Sequence, residues 1–302
     1  MKRLVLILLA TVVSAPAAYA ADLSAAYPVK AAPVVPVGPN WAGFYGGLNI
    51  GYGFNAGGHS TGGQTYYENT THDSFDTEWY TNEGPSWRTS ANLDGVIGGG
   101  QIGYNFVFQP SVLFGVETDF QWSGLKGDAS ASDTTSIQLF PAFDPNDPNY
   151  WAVEGNSKVT QEVEWFGTVR ARLGVTTFND SLLIYGTGGL AYGSVRQKLN
   201  YTGGFLPDAQ LGFAGSHWSG EASSSETKVG WTLGGGVEWF PAAASNWSIK
   251  AEYLYTDLGS TKVDLSTPAY RNDTNAGGRV VNASNTADAQ WQTVRVGINY
   301  HF

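Results

Sequence analysis

The sequence of 302 residues lacks cysteine, so disulfides, thiolate metal sites and cysteine nucleophiles are excluded. Charged residues make up only 14%, against roughly 25% in an average soluble domain. The formal net charge of −10 argues against a nucleic-acid partner. After the first 20 residues, no apolar run is long enough for a transmembrane helix. What the sequence has instead is 14% aromatic residues and 39 glycines, an unusual combination for a soluble protein.

The first 20 residues, MKRLVLILLATVVSAPAAYA, have the features of a secretory signal peptide. Two cations, Lys2 and Arg3, precede an apolar run, and Ala18-Tyr19-Ala20 forms a small-x-small cleavage site. We therefore predict export and cleavage after Ala20. Residues 21–40 are rich in alanine and proline and have no period, which predicts a flexible linker.

Residues 41–302 repeat one pattern, an alternation of apolar and other residues over a dozen or so positions. In VRVGINYHF, for example, Val294 and Phe302 share an apolar face, and Arg295 lies on the opposite face. The eight predicted strands run through 44–54, 96–108, 112–122, 159–175, 182–195, 229–239, 247–255 and 294–302.

The connections between these strands alternate strictly between long and short. The predicted polar loops cover about 55–92, 125–158, 198–228 and 259–289, and tight turns lie at 109–111, 177–181 and 241–246. Each strand has the roughly 9–11 residues that a tilted strand needs to cross a bilayer. Outer-membrane barrels keep short turns in the periplasm and long loops outside. The pattern predicts an all-β fold, a transmembrane eight-stranded up-and-down antiparallel β-barrel, in which the last strand pairs with the first because unpaired backbone is costly in lipid.

Several motifs carry a family resemblance: WAGFYGGLNIGYG, WFGTVRARLG, YGTGGLAYG, GWTLGGGVEW, IKAEYLYTDLG and VRVGINYHF. In this order they resemble the eight-stranded outer-membrane β-barrels of alphaproteobacteria, called outer-membrane immunogenic proteins or OmpA-like porin-family barrels. The resemblance implies a surface antigen of the Gram-negative cell outer membrane, with residues 21–40 as a periplasmic linker. It also implies that the C-terminal Val296, Ile298, Tyr300 and Phe302 resemble the signature read by the barrel-assembly machinery.

The faces opposite the apolar ones predict the contents of the lumen. Small barrels fill their interior with side chains, and buried charges must be paired. The predicted lumen charge network consists of Glu117, Asp119, Glu162, Glu164, Arg170, Arg172, Glu238, Lys250, Glu252 and Arg295. We interpret it as a structural ion-pair plug, with a selectivity zone or gate as the alternative. The excess of carboxylates would favour cations in any leak.

The predicted loops contain residue types that occur in catalytic and metal sites. The run His72-Asp73-Ser74 is one, but adjacent residues point to opposite faces of a strand and nothing orients the imidazole, so we predict no enzyme. The run from Phe143 to Asn149, FDPNDPN, offers oxygen ligands, yet its Asp-Pro steps are ordinary turn formers. We predict no metal and no cofactor, although His and Tyr residues in the loops leave haem open.

The functional prediction is a structural barrel that supports envelope integrity and presents loops at the surface. A narrow porin-like diffusion channel for small solutes is one alternative, and binding of haem or a host ligand by the loops is another. The predicted partners are outer-membrane lipid, lipopolysaccharide and the barrel-assembly machinery. Peptidoglycan and host surface molecules remain open as further partners.

Overall fold

The computed structural model describes residues 39–55, 61–73, 76–109, 111–138, 150–207, 215–241, 245–269 and 279–302. Its strands are β1 (Gly43–Asn55), β2 (Thr61–Asp73), β3 (Asp76–Thr89), β4 (Gly95–Gln109), β5 (Val112–Gln138), β6 (Tyr150–Thr177), β7 (Leu182–Phe205), β8 (Ser216–Trp239), β9 (Trp247–Ala269) and β10 (Arg279–His301). The predicted signal peptide, 1–20, and residues 21–38 of the predicted linker lie outside the described residues. In the described ranges, no helix has the length and apolar character needed to span a membrane.

Eight strands form a closed antiparallel ring in the order β1-β4-β5-β6-β7-β8-β9-β10. The ring closes between the first and the last strand, with pairs running from Tyr45↔His301 to Asn55↔Trp291. On its other side β1 pairs with β4, because β2 and β3 form a hairpin inserted between them in the chain. The prediction of an eight-stranded up-and-down barrel is confirmed.

The ring has two ends that differ in their connections. We call the end at residues 107–112, 177–182 and 239–247 the turn end, and the opposite one the loop end. At the turn end, Phe178, Asn179 and Asp180 have φ values of 53°, 55° and 60° in the connection from β6 to β7. Three consecutive left-handed residues reverse the chain within a very short distance, as the predicted turn at 177–181 requires.

The outward side of the turn-end half is almost entirely apolar. Leu48 is 68% exposed, Ile102 64%, Leu173 62% and Leu233 60%, and Val296 follows at 53%. We call this surface the apolar band; it consists of Phe44, Leu48, Ile50, Tyr52, Val96, Ile102, Phe106, Phe114, Val116, Phe120, Trp122, Val169, Leu173, Val175, Ile184, Leu190, Val229, Trp231, Leu233, Val237, Trp239, Trp247, Ile249, Tyr253, Val294, Val296 and Ile298. Apolar exposure on this scale, continuous around a closed ring, needs a nonaqueous environment.

The predicted loops were wrong in their secondary structure, because most of their described residues continue the strands beyond the apolar band. Along β7, for example, Leu199 and Tyr201 face inward with no exposure, and Lys198 before them and Thr202 after them are exposed. The apolar residues of this half therefore point inward, as in a soluble β-protein. In these stretches the apolar residues point inward, whereas in the apolar band they point outward. Because the stretches contain many polar residues, the sequence resembled loops.

Beyond the band the ring becomes two packed sheets. β8 pairs with β9 only from Trp231 to Trp239, and the loop-end parts of the two strands separate. One sheet continues as β5-β6-β7-β8, and the other contains β9, β10 and the β2–β3 hairpin, whose β2 pairs with β10. We call this part the loop-end extension; its core consists of Trp87, Val153, Val159, Leu199, Tyr201, Phe205, Trp218, Val263, Leu265, Val281 and Ala283.

Candidate functional site: the filled interior

The interior of the ring contains a layer of charged side chains, and Glu117 on β5 lies at its centre. Its carboxylate accepts a hydrogen bond from Tyr45 Oη at 2.7 Å, and both of its oxygens lie 3.0 Å from Lys250 Nζ. Arg170 Nη2 donates to the same carboxylate. All four side chains are buried. A buried carboxylate is stable only with such partners, because desolvating an unpaired charge costs several kcal/mol.

A second set of ion pairs crosses the interior beside Glu117. Arg295 Nη2 on β10 lies 2.9 Å from Asp119 Oδ2 and 2.7 Å from Glu252 Oε2. Arg170 Nη2 lies 3.0 Å from the same Asp119 oxygen, and its Nε is 3.0 Å from Thr168 Oγ1. These charges therefore link β5, β6, β9 and β10 through contacts between side chains, in addition to the backbone ladder.

Glu238 on β8 is the central carboxylate of a third group of contacts in the charged layer. Its carboxylate accepts hydrogen bonds from Arg172 Nη1 at 3.1 Å, Ser248 Oγ at 2.5 Å and Asn299 Nδ2 at 2.7 Å. His301 Nε2 lies 3.1 Å from the same group. The carboxylate is thus surrounded by polar partners from β6, β9 and β10 and has no exposed surface.

Two tyrosines complete the layer. The guanidinium carbon of Arg172 lies 4.7 Å from the ring centre of Tyr45 and 5.0 Å from that of Tyr185, which are cation–π distances. Tyr185 Oη also donates to Glu252 at 2.7 Å. The planar cation is held between two aromatic faces, so it cannot move without breaking both contacts.

The structure places eight of the ten predicted lumen residues together. The buried cations are Arg170, Arg172, Lys250 and Arg295, and the buried carboxylates are Glu117, Asp119, Glu238 and Glu252. We call these eight residues the charge network; each is at most 3% exposed. Four positive and four negative charges balance, so the predicted excess of carboxylates in the lumen is wrong.

The prediction was wrong for Glu162 and Glu164, which lie on the outer surface. Glu162 pairs with Lys126 at 2.9 Å and Glu164 with Arg196 at 3.0 Å, and both partners are on the outside. The cause is a β-bulge: Val163 is paired with Val195, but Trp165 is paired with Ser194, so Glu164 is an extra residue in β6. Alternation that is continued across a bulge assigns the wrong face. Outside the barrel, the Glu162 carboxylate raises the pKa of Lys126 by accepting its hydrogen bond.

Sequence reasoning did not include several polar partners of the charge network. Tyr45, Tyr185, Ser248, Asn299 and His301 all bond to network carboxylates. Four of these residues alternate with the apolar band on strands whose faces were clear, so the period of two was the signal that could have identified them. Tyr185 lies in the glycine-rich strand, where the two faces were hard to assign.

Apolar layers lie on both sides of the charge network. Toward the turn end, Trp41 packs edge-on against Phe240 at 4.6 Å, and its Nε1 donates to the Asp180 carbonyl at 2.7 Å. This layer contains Trp41, Leu113, Leu183, Tyr185 and Phe240. Toward the loop end, the layer contains Leu93, Ile97, Leu125, Val163, Phe166, Ala191, Val195, Leu258, Ala289 and Trp291. The charge network is therefore enclosed between two apolar plugs.

The predicted assembly residues lie on the outside of the last strand. Val296 and Ile298 belong to the apolar band, and Phe302 is 76% exposed and packs edge-on against Tyr300 at 5.1 Å. The backbone N–H of Phe302 donates to the Phe44 carbonyl at 3.0 Å. These positions leave the aromatic side chains accessible, and their role in assembly stays a prediction.

The predicted loop sites fall mostly outside the described residues. Phe143 to Asn149, Ser74 and the loop histidine His59 lie outside the described residues, and the side chain of His72 is not described either. His217 is described and is exposed on β8. Within the described part of the chain, no three His, Asp or Glu side chains are grouped as a metal site would require.

Comparison with known proteins identifies this architecture. The family model described as "Outer membrane protein beta-barrel domain" matches residues 5–302. The chain belongs to this family. It is 37% identical over 290 residues to the 31 kDa outer-membrane immunogenic protein of Brucella melitensis, covering 95% of each chain. It is 28% identical to the 22 kDa outer membrane protein of Rhizobium leguminosarum bv. viciae, over 57% of this chain and 58% of that one.

Among solved structures, Ail, the attachment invasion locus protein of Yersinia pestis, is similar with a TM-score of 0.23 and 14% identity, over 83% of this chain and 99% of that one. Membership of the family makes this chain an outer-membrane protein and the apolar band its lipid-facing surface. In barrels of the outer membrane the short turns face the periplasm and the long connections face the outside.

Proposed function

We propose that this protein is a structural component of the outer membrane that contributes to envelope integrity and presents the loop-end extension at the cell surface. The observation that carries the proposal is the charge network, whose eight charges are paired in the middle of the barrel. An eight-stranded ring has an interior just wide enough for its own side chains. Here that space holds ion pairs between two apolar plugs, an arrangement that supports rigidity rather than passage.

The loop-end extension supports the second half of the proposal. Its two sheets have a buried core that includes Trp87, Tyr201 and Trp218, and Trp87 Nε1 donates to Asn285 Oδ1 at 2.9 Å. A folded surface of this kind is a defined epitope, in contrast to a set of independent loops. We infer no catalytic role. Ser248 Oγ lies 3.1 Å from His301 Nε2, but Glu238 contacts the same ring nitrogen and all three side chains are buried, so no substrate can reach the hydroxyl.

The channel alternative leads to the first testable prediction. We expect the purified protein in planar bilayers to give no current steps above the baseline, with a porin in the same bilayers as the positive control. Buried ion pairs of the charge network would have to break before ions could pass, which costs several kcal/mol each. Reproducible steps from folded wild-type protein, identified by its heat-modifiable migration on gels, would contradict the structural role and favour the pore.

The assembly role of the C-terminus leads to a second prediction. We expect Phe302→Ala to reduce the amount of folded barrel in the outer membrane of cells, since an exposed terminal aromatic is available to the assembly machinery. The same variant refolded in vitro should differ from wild type by less than about 1 kcal/mol, because the side chain buries little surface. The comparison is made by heat-modifiability in membrane fractions and by urea unfolding in vesicles. Equal amounts in cells would remove the proposed role.

A further inference from the structure

The outer wall formed by β5, β6 and β7 carries a group of cations directly beyond the apolar band. Trp122 and Trp165 are paired across β5 and β6 at the edge of the band. The next outward row is Lys126–Glu162–Arg196, which is paired in register across the three strands. The following two rows contribute Lys198 and Lys158. We call Lys126, Lys158, Arg196 and Lys198 the basic patch.

Two members of the basic patch have a carboxylate partner, and two have none in the part of the chain that the structure describes. Lys126 and Arg196 have carboxylate partners at 2.9 and 3.0 Å. Lys158 and Lys198 are exposed, and neither has a carboxylate within ion-pair distance among the described residues. The outer face of this wall has two further acids among the described residues, Asp128, which accepts a hydrogen bond from Thr160 at 2.6 Å, and Glu154 nearer the loop end of β6.

The opposite wall has an excess of carboxylates near the band. On β9 and β10, the outward charged side chains near the band are Lys262, Asp257, Asp264 and Asp288, and Lys262 is paired with Asp264 at 2.9 Å. Among the described residues, three exposed cations have no ion-pair partner; Lys158 and Lys198 lie on the β5–β7 wall, and Arg88 lies on β3. The two free ammonium groups of the β5–β7 wall would bind anionic groups of a ligand.

The surface below the basic patch is aromatic. Phe120 stacks on Trp165 at 5.7 Å and contacts Trp122 edge-on at 5.4 Å, and Trp165 contacts Tyr192 at 6.3 Å. Aromatic side chains of this kind favour the boundary between acyl chains and polar headgroups. The wall thus combines an acyl-binding lower part with a cationic upper part on the same three strands.

The distance of the cations from the aromatic boundary indicates which kind of lipid they could contact. Lys158 lies seven residues before Trp165 on β6, including the bulge. At about 3.3 Å per residue and a tilt of about 40°, it stands roughly 15 Å above the aromatic boundary. Phospholipid headgroups occupy only about 5–7 Å on each side of the hydrocarbon core. Lys158 therefore stands above the phospholipid phosphates, at the height of the anionic inner sugars of a larger glycolipid, and Lys198, in register with Thr160, lies two residues nearer the band.

We propose that the β5–β7 wall is a docking surface for lipopolysaccharide, with acyl chains against Phe120, Trp122 and Trp165 and anionic core-sugar groups on Lys158 and Lys198. The site lies on the outer face, so it does not depend on whether the interior conducts. It makes one side of the barrel a preferred position for the phosphorylated glycolipid of the outer leaflet.

The test uses the full-length protein in detergent micelles titrated with purified lipopolysaccharide. We expect the double variant K158Q/K198Q to bind roughly 30-fold more weakly than wild type, at about a tenfold loss per 1.4 kcal/mol and about 1 kcal/mol per lysine. The control, Lys262→Gln on the opposite wall, should bind like wild type. Heat-modifiable migration of all three proteins establishes that they are folded.

Three outcomes would overturn the proposal. One is equal affinity of wild type and K158Q/K198Q for lipopolysaccharide. Another is an equal loss in the Lys262→Gln control, which would indicate a general effect of charge. The third is equal binding of phosphatidylglycerol, titrated in parallel, because a phospholipid phosphate would then satisfy the site. Higher ionic strength should weaken wild-type binding more than that of the double variant.

Discussion

Glu117→Gln is expected to lower the free energy of unfolding by about 3–5 kcal/mol, the usual cost of leaving buried charges without their partner. The substitution keeps the size of the side chain and removes one negative charge from a balanced set. Lys250 and Arg170 would then share fewer carboxylates, since both contact Glu117 directly. Urea titration of the protein folded in lipid vesicles, followed by tryptophan fluorescence, measures the change.

The chain provides two matched controls for this prediction. Glu162→Gln removes a similar carboxylate from the exposed pair with Lys126, which should cost at most about 1 kcal/mol. The double variant Glu117→Gln/Lys250→Met removes one charge of each sign, and we expect it to recover part of the stability lost by Glu117→Gln alone. If Glu117→Gln and Glu162→Gln had equally small effects, the charge network would not be important for stability.

These two glutamates also show how far the sequence predicts the interior. Alternation placed Glu117 in the lumen because no bulge separates it from the neighbouring band residues Val116 and Phe120. The same argument failed for Glu162, because the extra residue in β6 shifts the phase on one side of Glu164. A bulge is defined by pairing with a neighbouring strand, and that pairing is a tertiary property which a single sequence does not display.

The loop-end extension shows the same limit for secondary structure. The eight strands and their order were predictable, because the lipid-facing side of each strand is a long, regular series of apolar residues. Beyond the band, inward residues such as Val263 and Leu265 alternate with exposed Lys262 and Asp264. Such stretches have about as many polar as apolar residues, and hydropathy alone does not separate a two-sided strand from a polar loop. Their burial depends on the second sheet, which packs against the other side of the same core.

We also expect that the loop-end extension can unfold while the barrel stays folded. We expect Leu199→Asp to destabilise the loop-end extension by about 4 kcal/mol or more, because it removes a large buried side chain and places an unpaired charge among apolar residues. The ring below is held by its own closed ladder, the charge network and lipid. When protease is added to intact cells, we expect it to cleave the variant within the extension. The remaining membrane fragment should be protected and should still migrate in a heat-modifiable manner.

Asn200→Asp is the matched control, since it introduces the same charge at the next residue on the opposite face of β7. Asn200 points outward and is partly exposed, so its substitution should leave the extension resistant to protease. If both variants resisted protease equally, the packed core between the two sheets would not hold the extension together. If Leu199→Asp instead prevented insertion of the whole chain, the extension and the barrel would fold as one unit, because the loss of the outer core would then prevent closure of the ring.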